Sequence, residues 1–163
     1  MDERSREGRA FSSDTFYEPI RALAGRSVKT LDVSATMGEC VDLMREENFG
    51  AAVITRNDRL AGIVTERDFL RKALDDVDWR ERPVTFYMTP DPDSLQLDDP
   101  MIFVMNRMYV GGYRHVPIVD EDDFPVGIVS IRDVLTFILD HFQGEVSNLP
   151  PEPSRGPAPR WGG

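Results

Sequence analysis

Apolar residues recur at helical spacing in two separate stretches of the chain. Each set follows the i, i+3, i+4, i+7 pattern of a helix that buries one face. The two sets are Met37, Cys40, Val41 and Met44 and, 64 positions later, Met101, Val104, Met105 and Met108. The pattern therefore predicts two amphipathic helices that pack against apolar cores.

Both predicted helices have start signals of their own. Thr36 and Glu39 have the spacing of a capping box, in which each side chain bonds the backbone of the other residue. Before the second helix, Asp99 is expected to act as the cap and Pro100 to take the first helical position.

Short apolar runs bounded by polar turns predict strands around each helix. The expected strands are 28–31, 51–54 and 116–119, with further strands ending at Val64 and Val129. A last helix follows each final strand, and its apolar stripe is Phe69, Leu70, Ala73 and Leu74 in one case and Val134, Leu135, Ile138, Leu139 and Phe142 in the other. The predicted order is β-α-β-β-α, twice.

An internal repeat supports this order. Residues 60–70, Leu-Ala-Gly-Ile-Val-Thr-Glu-Arg-Asp-Phe-Leu, return 65 positions later as residues 125–135, Pro-Val-Gly-Ile-Val-Ser-Ile-Arg-Asp-Val-Leu. We therefore predict an α+β fold of two β-α-β-β-α repeats. Residues 16–80 form the first repeat with a short leading helix, and residues 81–142 form the second. Residues 1–15 and the Pro/Gly-rich tail 143–163 are expected to be disordered.

The two strand-to-helix junctions carry the chemistry. Thr65 with Asp68, and Ser130 with Asp133, stand at the first turn of a predicted helix, where free N–H groups and the helix dipole favour a phosphate. An Asp carboxylate can instead accept hydrogen bonds from both hydroxyls of a ribose. The same spacing is a capping box that stabilises many helices without any ligand. Both copies keep the hydroxyl, the Arg and the Asp, and within the family fold that the junctions resemble this favours nucleotide binding by at least one site.

These junctions, together with residues 113–120 and 88–90, resemble a tandem pair of CBS domains, the module named after cystathionine β-synthase. The resemblance covers about residues 22–142 and implies a pseudo-twofold pair that forms a homodimer. It also implies an adenine nucleotide or derivative (AMP, ADP, ATP, NAD(H) or S-adenosylmethionine) in a cleft between the repeats. Asp68 and Asp133 would bind ribose, with Thr65 and Ser130 near ribose or phosphate. The candidates for phosphate charge are Arg67, Arg114, His115 and Arg132.

The two copies are not equivalent at the position before the central strand. The second copy has Arg114-His115, whereas the first is expected to have Phe49-Gly50, which offers no cation. This difference fits one tight and one weak site, or one site suited to a less charged ligand such as adenosine or S-adenosylmethionine.

Charge and composition exclude several classes of protein. With 19 basic and 29 acidic residues, the formal net charge of -10 disfavours nucleic-acid and anionic-membrane binding. No apolar run approaches the ~18 residues of a membrane helix. One cysteine and two histidines predict no disulfide and no metal site, and the first residues lack the apolar core of a signal peptide, so a cytoplasmic location is expected.

The sequence thus predicts a non-catalytic regulatory module without a catalytic cofactor, which signals to an unidentified effector protein. One alternative is a ligand-free scaffold that acts through a dimer surface and the tail, where Pro150 and Pro153 have PxxP spacing. Another is an enzyme that uses the carboxylates and His115 as acid and base. No nucleophile or metal motif supports that alternative.

Overall fold

Two small sheets organise the molecule in the computed structural model, which describes residues 13–23 and 27–141. The expected disorder of residues 1–12 and 143–163 concerns positions outside these ranges, as do Pro150, Pro153 and Phe142. Residues 13–15 were also expected to be disordered, but they begin a 3-10 turn in which Thr15 is buried.

The first sheet has the strand order β1-β2-β3-β4. Its strands are β1 (Thr30–Asp32), β2 (Ala51–Arg56), β3 (Arg59–Thr65) and β4 (Thr89–Pro90). β1 is parallel to β2, and the other neighbours are antiparallel. A parallel neighbour needs a crossover connection, and helix α1 (Met37–Glu46) supplies it.

The second sheet repeats this arrangement with the order β5-β6-β7. Its strands are β5 (Leu95–Gln96), β6 (His115–Val119) and β7 (Pro125–Ser130). Helix α3 (Met101–Gly111) makes the crossover, and helix α4 (Ile131–His141) follows β7. The α+β class and the two β-α-β-β-α repeats are confirmed.

The start of α1 agrees with the sequence. The Glu39 backbone N–H donates to Thr36 Oγ1 at 3.2 Å, and the Thr36 N–H donates to Glu39 Oε2 at 2.7 Å, which completes the capping box.

The predicted cap of α3 is wrong. Pro100 is the N-cap residue, and the Asp99 carboxylate accepts the Gln96 N–H at 2.8 Å instead of capping the helix. The Met101 N–H donates to the Glu18 carbonyl at 2.9 Å. Another segment of backbone therefore satisfies a helix N–H group that a side chain was expected to satisfy.

The last helix of the first repeat is shorter than its apolar stripe predicts. Helix α2 (Glu66–Asp68) passes at once into a single π-helical turn, Phe69–Ala73. Beyond this turn the Asp76 carboxylate accepts the Asp78 N–H and the Tyr87 hydroxyl, so a side chain takes over the bonding that would continue the helix. Leu74 consequently remains exposed.

Each repeat has its own apolar core, and each core is completed by the segment that precedes the other repeat. The leading residues form two 3-10 turns, Ser13–Tyr17 and Ile20–Leu23, and the buried Ile20 and Leu23 lie in the core of the second repeat. A third 3-10 turn, Val84–Phe86, places Val84 in the core of the first repeat. The sequence boundary between residues 80 and 81 is therefore not a boundary between cores.

Backbone bonds hold both segments in equivalent positions. The Ile20 N–H donates to the Asp99 carbonyl at 2.9 Å, and the Val84 N–H, 64 positions on, donates to the Ala35 carbonyl at 2.8 Å. A third apolar cluster, in which Ala51, Val53 and Ile63 of the first repeat pack with Ile128 of the second, lies between the sheets. The two exchanged segments and this shared cluster together hold the repeats against each other as a pseudo-twofold pair.

No helix among residues 13–23 and 27–141 combines the length and apolar character needed to cross a membrane.

Candidate functional site

Both strand-to-helix junctions form complete capping boxes. Thr65 donates to Asp68 Oδ2 from its N–H at 2.9 Å and from its hydroxyl at 2.7 Å, and the Asp68 N–H donates back to Thr65 Oγ1 at 3.3 Å. Ser130 and Asp133 make the same three contacts at 2.6, 2.6 and 3.3 Å. One oxygen of each carboxylate is therefore committed to the local structure, and ligand chemistry depends on the other oxygen.

The second oxygen has a partner in the first repeat only. Lys72 Nζ lies 2.8 Å from Asp68 Oδ1, and the Asp68 side chain is 14% exposed. Over the described residues, Asp133 Oδ1 has no hydrogen bond or ion pair. The two carboxylates therefore differ in their capacity to accept from a ligand.

A cleft of about 1020 Å³ crosses the boundary between the repeats. From the first repeat it is lined by Val41, Met44, Arg45, Asn48, Phe49, Gly50, Glu66, Phe69 and Leu70, and from the second by Arg114, His115, Ser130, Ile131, Arg132 and Asp133. Five of the eight residues predicted as site residues are in this lining, namely Arg114, His115, Ser130, Arg132 and Asp133. Thr65, Arg67 and Asp68 are not.

The charge of this lining is opposite in sign to that of the chain. Three arginines face two carboxylates, which gives a formal +1 when His115 is neutral, in a chain of -10. An anion repelled by the whole protein is thus attracted locally, because nearby charges are screened least.

His115 lines the cleft and is half-buried against Phe49. The two rings meet edge to face with centroids 5.1 Å apart. Burial lowers the pKa of His115, with a smaller opposing influence from the charges of Glu66 and Asp133. At neutral pH the imidazole is therefore uncharged and offers hydrogen bonds without a full positive charge.

The register of the strands corrects the sequence alignment of the two copies. Ala51 pairs with Thr65, and His115 pairs with Ser130, so Ala51 is the counterpart of His115 and Gly50 that of Arg114. Equivalent residues that precede the turn between β2 and β3 lie 64 positions before their counterparts in the second repeat, whereas equivalent residues after that turn lie 65 positions before theirs. The expected pairing of Phe49-Gly50 with Arg114-His115 is one residue out, but the first repeat still has no cation there.

Glu66 occupies the space where a side chain at position 50 would stand. A Cβ atom on Gly50 would lie 2.9 Å from Glu66 Oε2. The counterpart of Glu66 is Ile131, so the first repeat presents a carboxylate beside a glycine and the second an apolar residue beside an arginine. Phosphate binding is thereby favoured on the side of Arg114.

Sequence reasoning missed the contribution of α1 to the cleft. Arg45 lies in the last turn of this helix, and Asn48 follows it with a positive φ of 49°. Asn is among the few non-glycine residues that adopt this conformation readily, and it places a polar side chain in the lining, where its counterpart Gly112 has none. The left-handed conformation of Asn48 could have been inferred from Asn-Phe-Gly, but the place of Asn48 in the lining of the cleft depends on tertiary packing.

A small, partly open space adjoins the cleft. Its volume is about 30 Å³, and it shares Phe49 with the cleft. The lining is Ser27, Val28, Lys29, Leu43, Glu47, Phe49, Ala51 and Ile128. Its walls are mainly apolar and come from both repeats, and a space of this volume holds a water molecule but not a ring.

The one cysteine of the chain is not placed to act as a nucleophile. Cys40 is fully buried in the first core, and burial raises the pKa of its thiol to about 12, so the nucleophilic thiolate does not form at neutral pH. Over the described ranges, no three His, Cys, Asp or Glu side chains form a group that could hold a metal ion.

Comparison with known proteins settles the family. A model of the CBS domain matches residues 20–75 and again 84–140. The chain belongs to the CBS domain family. The tandem pair inferred from the internal repeat is therefore confirmed.

The related proteins differ in the share of their length that the match covers. An uncharacterized 17.7 kDa protein of Acidianus ambivalens is 34% identical over 123 residues, which make up 74% of this chain and 73% of that protein. Inosine-5'-monophosphate dehydrogenase of Methanocaldococcus jannaschii is 31% identical over 111 residues, or 68% of this chain, but the match spans only 21% of that enzyme.

Among solved structures, a CBS domain protein from Pyrobaculum aerophilum complexed with AMP superposes with a TM-score of 0.68 and 26% sequence identity. The match covers 77% of this chain and 98% of that one.

Proposed function

We propose that this CBS pair is a non-catalytic regulatory module that binds an adenine nucleotide in the cleft between its repeats. The carrying observation is the unpartnered oxygen of Asp133 beside Arg114 and Arg132 in a cleft of net positive charge. The AMP complex of the Pyrobaculum aerophilum relative supports AMP as the first ligand to test.

The residues have distinct roles in this proposal. Asp133 Oδ1 accepts from the ribose hydroxyls, as carboxylates do where donors are paired. Ser130 keeps Asp133 in position through the capping box. Arg114, Arg132 and His115 bind the phosphate. The adenine ring packs in the apolar part of the cleft beside Phe49.

Signalling follows from the position of the cleft across both repeats. A ligand that contacts α1 and β6 together stabilises the arrangement of repeats in which both contacts are made. An effector protein that recognises this arrangement then responds to the ligand, because the two binding equilibria are linked.

The expected cytoplasmic location stays a prediction.

Homodimer formation is part of the same proposal. Exposed leucines lie on the segment that follows β3 and on α4, with exposures of 62% for Leu70, 58% for Leu74, 52% for Leu135 and 46% for Leu139. Apolar faces of this kind are covered in many symmetric dimers. Sedimentation equilibrium is expected to give twice the chain mass, and a monomer at micromolar concentration would contradict the dimer.

The binding proposal is tested by calorimetric titration with AMP and with adenosine. Arg114→Gln is expected to weaken AMP binding about tenfold and adenosine binding little, since the arginine contributes a charge-assisted bond to phosphate. Arg71→Gln, which removes an exposed cation outside the cleft lining, is the control and should leave both affinities within about twofold.

Two outcomes would replace this proposal. If the wild-type protein binds neither compound, the junctions are helix caps only and the scaffold alternative takes first place. If the purified protein turns over ATP, the enzyme alternative takes first place.

A further inference from the structure

Lys72 connects the first capping box to the segment between the repeats. Its Nζ donates to Asp68 Oδ1 at 2.8 Å and to the Tyr87 carbonyl at 2.9 Å. Two of the three N–H groups of the ammonium are thus used within the protein. Asp68 therefore already holds a cationic donor at the oxygen that a ribose would need.

The second repeat has no such donor. The counterpart of Lys72 is Phe137, whose apolar side chain packs against the second core. Among the described residues Asp133 Oδ1 has no hydrogen-bond or ion-pair partner, and Asp133 lines the cleft, whereas Asp68 does not. The partner on the second oxygen therefore follows from the residue one turn along the chain, lysine in the first repeat and phenylalanine in the second, and the position relative to the cleft is a separate difference.

We propose that Lys72 is an internal competitor for the ribose hydroxyls at Asp68 and restricts nucleotide binding to the Asp133 side. This inference rests on the proposed function. It assigns Lys72 a role in stoichiometry and specificity, in addition to its structural bond to the Tyr87 carbonyl.

The sign of the effect separates this role from general electrostatics. Removing a lysine makes the protein more negative, which by itself weakens the binding of an anion such as AMP. Release of Asp68 from its competitor has the opposite effect and strengthens binding. A variant that loses positive charge and binds AMP more tightly can therefore not be explained by charge alone.

The experiment uses the full chain with Asp133→Asn, so that the Asp68 side is observed without the stronger site. AMP and adenosine are titrated to millimolar concentration and followed by NMR shifts of residues near Asp68. Lys72→Met in this background is expected to tighten binding of both compounds about fivefold, the scale of a partly exposed ion pair.

Two matched variants complete the experiment. Lys72→Arg keeps a cation within reach of Asp68 and should bind as weakly as Asp133→Asn alone. Arg71→Met removes the neighbouring exposed cation and should bind AMP no more tightly. Thermal melting of each variant shows that it is folded.

The outcomes separate the inference from the proposed function. If the wild-type chain binds AMP but Lys72→Met binds no more tightly than Arg71→Met, the inference is overturned and the proposed function stands. If neither the wild-type chain nor any variant binds AMP or adenosine, both are overturned. If the wild-type chain does not bind AMP but Lys72→Met does, the competitor role of Lys72 is supported and the assignment of the ligand to Asp133 is contradicted.

Discussion

The strand-to-helix junctions of the two repeats share a hydrogen-bonding pattern and differ in what surrounds it. Thr65 with Asp68 and Ser130 with Asp133 make equivalent bonds of 2.6 to 3.3 Å. Only Asp68 has a lysine on its second oxygen, and only Asp133 lies in the cleft with Arg114. The sequence motif therefore specifies where the helix starts. Neighbouring residues one turn away or on another strand decide whether the carboxylate of the motif can bind a ligand.

The cores of the two repeats show the opposite relation. Their sequences differ, yet each is closed by a short segment from outside the repeat, through Ile20 in one case and Val84 in the other. Burying apolar surface requires only residues of suitable size, whereas binding a particular ligand requires particular polar atoms in place.

The largest expected effect tests this equivalence of the cores. Ile20 is 1% exposed, and Ile20→Ala should lower the free energy of unfolding by about 3 kcal/mol, the cost of a large-to-small change in a core. Val84→Ala, at the equivalent position, should also destabilise the protein, but less, because it removes one carbon atom fewer. Denaturant unfolding measures both changes.

Tyr17→Ala is the control for this comparison, because Tyr17 lies in the same leading segment but is 64% exposed. It should change the free energy of unfolding by no more than about 0.5 kcal/mol. If Ile20→Ala is equally harmless, the leading segment does not complete the second core.

A smaller effect on stability is expected from pH. It arises at the position that His115 occupies in the second repeat and Ala51 in the first. Burial lowers the folded-state pKa of His115 below its ordinary value of about 6.5, so the unfolded chain binds the proton more readily. The contribution of neutral His115 to stability is therefore complete above about pH 6.5 and is lost as the pH falls below it. His115→Ala, which copies the residue of the first repeat, should flatten the decrease in melting temperature between pH 7.5 and 6.

The difference between the two pH profiles is the informative quantity, because carboxylates also begin to titrate in acid. Identical slopes for the wild-type chain and His115→Ala would show that the imidazole is not held in its neutral form by burial.

Much of the fold could be predicted because its determinants are local. The offset of 64 or 65 positions between copies predicted the duplicated unit, and the spacing of Thr36 and Glu39 predicted the start of α1. The ion pair between Lys72 and Asp68 could also have been predicted, since residues four apart on a helix are neighbours.

Other features could not be predicted because they depend on contacts distant in sequence. Ile20 and Leu23 are apolar residues that either core could bury, so their pattern does not indicate which repeat they complete. The Glu18 carbonyl that replaces Asp99 at the start of α3 comes from a distant segment. Likewise, Arg45 and Asn48 reach the cleft only through the packing of one repeat on the other.

The most direct test of the account is a titration of AMP into Asp68→Asn and Asp133→Asn, measured side by side with the melting temperature of each variant. We expect Asp133→Asn to weaken AMP binding by at least about tenfold, the value of a hydrogen bond to a charged group, and Asp68→Asn to leave it within about twofold. Both should lower the melting temperature, because both damage a capping box. Equal losses of affinity in the two variants, or a loss with Asp68→Asn alone, would contradict the assignment of the ligand to the Asp133 side of the cleft.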